Sequence, residues 1–69
     1  MFTGQSAPLP AVRRRRALML LQSVGAVSCQ DLQREFDISP TTARRDIVAL
    51  VRRGHGVRVH GGAVYQIQR

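Results

Sequence analysis

The sequence predicts a mainly α-helical domain closed by a small β-hairpin. Three observations lead there. Apolar residues recur at helical spacing from Ala17 to Val51, with breaks at Gly25 and Asp37. Ser28 and the pair Ser39-Pro40 stand where helix N-termini begin. After Gly54 the period falls to two, and a Gly61-Gly62 pair interrupts it. With 69 residues and 7.7 kDa the chain makes one small domain, too small for a catalytic cleft between domains.

Each element has a local cause. Residues 1–11 combine Gly4, Pro8 and Pro10 with Thr3, Gln5 and Ser6, and read as a disordered arm. The first helix is expected from Arg13 to Val24. Ala17, Leu18, Leu20, Leu21 and Val24 lie on one side, with Arg15, Arg16, Met19, Gln22 and Ser23 on the other. Gly25 stops it, and Ala26-Val27-Ser28 is a short extended link. Ser28 caps a second helix, Cys29 to Phe36, with Asp31 in the capping-box position and Leu32 and Phe36 sharing a face. Asp37-Ile38 makes a tight turn. Ser39 caps a third helix with Pro40 at its first position, running to Arg53 and leaving at Gly54. Its buried stripe is Ala43, Ile47 and Leu50, with Val51 beside them. In the hairpin, Val57, Val59, Ala63 and Tyr65 are expected to alternate with Arg58, His60 and Val64 across a Gly61-Gly62 turn. Residues 66–69 form a polar tail. Helix, helix, tight turn, helix, hairpin is the order of a winged helix-turn-helix: three helices plus a wing. The domain is drawn at 10–65, its helix-turn-helix motif at about 27–46 and its wing at about 56–65.

Charge narrows the partner. Eleven basic residues oppose four acidic ones, a net charge of +7 with a pI near 11.8. Such a surface suits a polyanion, nucleic acid before anionic membrane. All eleven are Arg, which suits bidentate recognition of phosphate and guanine, although a GC-rich genome produces the same bias. The single cysteine, Cys29, can form neither an internal disulfide nor a zinc site, and fits a small core residue in a reducing cytoplasm. The tetrad Arg13 to Arg16, the apolar Ala17 to Leu21 and the later Cys29 loosely imitate a lipoprotein signal. The run is too short to span a membrane, and cleavage there would discard core. No paired carboxylates, nucleophile–base set or phosphate loop is present, so no enzyme, cofactor or metal is expected. His60 has no companion at ligand spacing.

The third helix carries the binding chemistry. Opposite its apolar stripe stand Thr41, Arg45, Val48 and Arg52, with Thr42 and Ala49 on one border and Arg44 on the other. Short hydroxyls at Ser39, Thr41 and Thr42 suit phosphates or base edges, Arg45 can fork onto guanine, and Val48 can meet a thymine methyl. An ordinary solvated face, with Asp46 balancing one Arg, is the plain alternative. Four cations at the start of the first helix oppose its dipole, a strain that a nearby polyanion would relieve. Arg14 is the expected phosphate contact among them; the alternatives are a solvated charge run, or Arg14 or Arg13 lying along the core edge and packing through its methylenes. In the wing, Arg58, His60 and Gly61 are placed against phosphate or the minor groove.

From Arg14 to Tyr65 the chain resembles the DNA-binding domain of the DeoR family of bacterial transcription regulators. The resemblance rests on Gly25-Ala26-Val27-Ser28, on Leu32 and Phe36, and on Ile38-Ser39-Pro40-Thr41-Thr42-Ala43-Arg44-Arg45-Asp46-Ile47. Leu50, Gly54 and Arg58-Val59-His60-Gly61-Gly62-Ala63 follow at family spacing. It implies operator reading by Thr41, Thr42, Arg44 and Arg45, and regulation, usually repression, of carbohydrate or nucleoside catabolic genes. The chain departs from the family in having His55 and Gly56 where apolar residues are usual. It also ends at Arg69, before the family's sugar-phosphate-sensing domain, so no small-molecule effector site is expected in it. The expected partner is double-stranded DNA, with no membrane, and two copies paired on DNA are the expected route to affinity. A winged-helix module that binds proteins rather than DNA is the rival reading.

Overall fold

The computed structural model describes residues 9–66. Residues 1–8 of the expected arm, 1–11, and 67–69 of the expected tail lie outside them, whereas Pro10 and Ala11, expected in the arm, are helical. The order is α1 (Pro10–Val24), β1 (Ala26–Ser28), α2 (Cys29–Phe36), α3 (Pro40–Arg52), β2 (Gly56–Val59) and β3 (Gly62–Tyr65). The strands form one antiparallel sheet in the order β1-β3-β2. This is the expected winged helix-turn-helix, mainly helical, with one strand more than the hairpin alone.

The second and third helices begin where their caps require. At Ser28 the Oγ accepts the Asp31 N–H at 3.0 Å, and the Asp31 carboxylate accepts the Ser28 N–H at 3.0 Å. That backbone hydrogen bond holds the Asp31 carboxyl below its ordinary range, helped by the Ser28 hydroxyl and by Arg34 and opposed by partial burial. Asp37 closes α2 in the left-handed region, at φ 54°. The Ser39 Oγ accepts the Thr42 N–H at 3.1 Å, with Pro40 at the first position of α3. The helix ends one residue earlier than expected, with Arg53 as its C-cap.

The first helix differs more. It starts at Pro10, three residues before Arg13, because proline suits a first turn whose N–H groups have no partner. Its buried side is narrow: Arg13, Ala17 and Leu21, four residues apart. Leu18 packs only partly, and Val24, expected in the core, is 73% exposed as the final residue of α1, past Leu21, the last buried residue of that helix.

The core gathers Ala17, Leu21, Val27, Leu32, Phe36, Ala43, Ile47, Leu50 and Ala63 from all three helices and the sheet. Each of its large side chains contributes about 1.5–3 kcal/mol on burial. Val27 belongs to β1, so the expected link is a strand: it pairs with Ala63 of β3 and closes the sheet over the helices.

The wing turns one residue earlier than expected. Val59 pairs with Gly62, which leaves His60-Gly61 as the two-residue turn, with Gly61 at φ 79°. Gly62 serves a different purpose, as a Cβ there would lie 2.2 Å from the Val27 carbonyl oxygen and 2.8 Å from the Ser28 Cα. The facing of the hairpin follows from the length of this turn, and a Gly61-Gly62 turn would give the same facing with the partners shifted by two. Across a two-residue turn, paired positions have opposite parity, so Val57 faces Val64 and Arg58 faces Ala63. Val57, Val59 and Val64 therefore stand on the outer face, each more than a third exposed, while Ala63 points into the core. The expected alternation, with Val57 and Val59 sharing Ala63's side, is thereby corrected. No helix among the described residues is long and apolar enough to cross a membrane.

Candidate nucleic-acid interface

The exposed side of α3 is built by what the opposite side hides. Ala43, Ile47 and Leu50 are buried, and so is Asp46, which is wholly inaccessible. Asp46 does not balance an arginine of the outer face, as the plain alternative supposed. Its carboxylate accepts Arg13 Nε at 2.8 Å and Arg13 Nη2 at 3.2 Å through its two oxygens, and Arg14 Nε at 3.0 Å. A paired, hydrogen-bonded carboxylate tolerates such burial, whereas an isolated one would not. Two consecutive arginines of α1 thus grip the middle of α3, and the negative charge in its Arg-Arg-Asp run is withdrawn from the surface.

What remains outside is basic or hydroxylic apart from Val48 and Ala49. Thr41, Arg44, Arg45 and Arg52 are exposed, and Thr42 and Val48 are half-buried beside them. An open groove along this side is lined by Arg14, Arg44, Arg45, Val48, Ala49, Arg52 and Arg53. At the start of the helix the hydroxyls are ordered. The Ser39 Oγ donates to the Thr42 Oγ1 at 3.1 Å while accepting the Thr42 N–H. Ser39 is thereby engaged as the cap, and Thr42 retains its own hydroxyl proton for an external acceptor. Thr41, exposed at the same turn, adds a second hydroxyl.

Arg14 is two-thirds buried along its side chain, with its Nε held by Asp46. Its placement combines the two expectations for it: the stem lies along the α1–α3 junction, and the residue still lines the groove. Arg15 and Arg16 are exposed, but Arg13 is buried, so the tetrad is not one solvated run.

The wing stands apart from these residues. Arg58, His60 and Gly61 are all exposed. Arg58 lies on the helix-bearing side of the edge strand β2, opposite Ala63, rather than on the outer face. The Gly61 carbonyl accepts the Cys29 N–H at 2.8 Å, which ties the wing's tip to the first residue of α2.

Asp46 is the residue that sequence reasoning misplaced, although its signal was present. At about 100° per residue it falls about 40° from Leu50 and about 60° from Ala43, at the border of the buried stripe next to Leu50. Arg53 was read only as a helix end, and it lines the groove. Among the described residues, no group of three His, Cys, Asp or Glu is arranged to hold a metal ion.

Against known families, residues 13–69 match the model of the DeoR-like helix-turn-helix domain. No match is found among curated proteins or solved structures.

Proposed function

Because the chain belongs to the family of DeoR-like helix-turn-helix domains, which are DNA-binding parts of transcription regulators and not enzymes, we propose that it reads specific duplex sequences by laying α3 in the major groove. The observation that carries this reading is the burial of Asp46. It leaves Thr41, Arg44 and Arg45 as a face with no carboxylate of α3 on it. In this role Arg45 forks onto a guanine, Val48 meets a thymine methyl, and Thr41, Thr42 and Arg44 fix the helix on base edges and phosphates. Ser39 sets the first turn of the helix, Arg14 adds charge at its flank, and Arg58, His60 and Gly61 bring the wing to the neighbouring backbone. The protein acts in the cytoplasm as a repressor, two copies sharing a two-part operator.

Selection from random duplexes, followed by titration at several salt concentrations, tests the proposal. A preferred sequence should emerge, and log K should fall with log salt by about 0.9 per phosphate neutralised. Arg45→Ala should flatten the preference while leaving much of the salt-dependent binding. A flat salt response, or a preference indifferent to Arg45→Ala, refutes the assignment. Binding to an acidic protein with no DNA shift would establish the rival, a protein-interaction module.

A further inference from the structure

A second cationic surface adjoins the α3 groove, and of its charged residues only Arg14 has a part in the reading just given. Between the first half of α1 and the last turns of α3 lies an open cleft of about 550 Å³. Its rim carries Arg14, Arg15, Arg53 and His55, its floor Leu18 and Leu50. Arg15 and Arg53 are exposed, and no carboxylate is among the residues lining the cleft. His55, which interrupts the usual apolar pattern after Gly54, finds its place here. The cleft shares Arg14, Ala49 and Arg53 with the groove along α3, so the two form one continuous basic surface.

The acidic residues other than Asp46 are elsewhere. Asp31 and Glu35 lie on α2, and Asp37 caps its C-terminus. The surface is thus polarised, basic on the α1–α3 flank and net acidic at α2, where Arg34 offsets Asp31, and Glu35 and Asp37 remain. A duplex seated on α3 meets attraction on one flank and like charge on the other.

From this we infer that the α1–α3 cleft is a phosphodiester site. It holds the DNA backbone beyond the bases read by α3, through Arg15, Arg53 and His55, and biases the duplex away from α2. The inference rests on the DNA-binding reading above and adds to it a contact outside the recognised sequence.

The test crosses duplex length with charge removal. The selected site is prepared trimmed to its ends and extended by one helical turn of random flank. Both are titrated with the wild-type chain, with Arg15→Gln, with Arg53→Gln and with the double variant. Both positions are exposed, and a thermal melt verifies that each variant folds. The flank should tighten wild-type binding and steepen its salt slope. Each single variant should make the extended-duplex slope shallower by about 0.9, and the double variant by about 1.8. The double variant should lose the gain from the flank and keep the preference that depends on Arg45. A flank gain that survives in the double variant, or no flank gain in the wild type, overturns the cleft as a DNA site. The other source of the same chemistry is free phosphate, titrated at constant ionic strength against chloride and followed by NMR at Arg15 and Arg53. Saturable shifts there without a flank effect would reassign the cleft to a free anion and overturn the DNA assignment. Failure of the parent reading looks different, since then no preferred duplex is selected at all.

Discussion

Asp46→Ala is the most informative single change. The substitution removes the acceptor of three arginine hydrogen bonds and leaves Arg13, whose side chain is 9% exposed, without its buried counter-charge. Breaking one partner of a buried ion pair costs about 3–5 kcal/mol. A chain of 69 residues has about 3–10 kcal/mol in total, at about 0.05–0.15 kcal/mol per residue. The variant should therefore lose a third or more of its stability, and its Tm should fall by more than about 12 °C, at about 4 °C or more per kcal/mol. Urea unfolding followed by far-ultraviolet circular dichroism measures the loss directly. The paired replacement Arg13→Met with Asp46→Leu should recover most of it, because an apolar pair of similar bulk avoids the desolvation of both charges. Arg14→Ala should cost only about 0.2–1 kcal/mol, since that side chain is 33% exposed and shares the carboxylate with Arg13. An Asp46→Ala variant within about 0.5 kcal/mol of wild type, beyond the range of an ordinary surface change, would refute the reasoning.

Three further outcomes are expected. Gly62→Ala places a methyl against the Val27 carbonyl and the Ser28 backbone; the sheet must shift, at a cost of at least the 1–3 kcal/mol of overpacking, roughly, and amide exchange in β1 and β3 should accelerate in step. Asp31→Asn tests the cap of α2. The folded-state pKa of Asp31 lies below its unfolded value of 3.8, so its contribution is present above that value and is lost as pH falls through the folded pKa. Wild type and variant should differ in urea midpoint at neutral pH and converge in acid; a difference constant with pH would contradict the capping box. Val57→Thr and Ala63→Val test the facing of the wing. The first, on the outer face, should cost less than about 1 kcal/mol, and the second, in the core, about 1–3 kcal/mol; the reverse order would mean that the strand is turned over.

The legible parts of the fold are those with local causes. Ser28 with Asp31, and Ser39 with Pro40, mark the starts of α2 and α3 because a cap needs only residues three apart. β1 was not legible: three residues carry no measurable period, and Ala26–Ser28 becomes a strand only because β3, more than thirty residues later, pairs with it. The wing's facing depends on the turn having two residues, and its register on which two they are. Moving that turn from Gly61-Gly62 to His60-Gly61 exchanges the partners of every position in β2. In the candidate site, the exposed arginines and hydroxyls of α3 were legible from helical spacing. The place of Asp46 was obscured by its charge, which suggests the surface until Arg13 and Arg14 are seen to enclose it. The cleft was not legible because Arg15 and His55 meet only through the packing of α1 on α3.

The hydrogen bond from Cys29 to the Gly61 carbonyl gives the wing no hinge of its own. The hairpin's tip moves with α2, as the needle of a fixed gauge moves with its frame. If a duplex meets both α3 and the wing, it must fit a spacing set in advance by the protein, so the compliance has to come from the nucleic acid. Operators with pliant pyrimidine–purine steps between those two contacts would then be favoured at bases that no side chain touches.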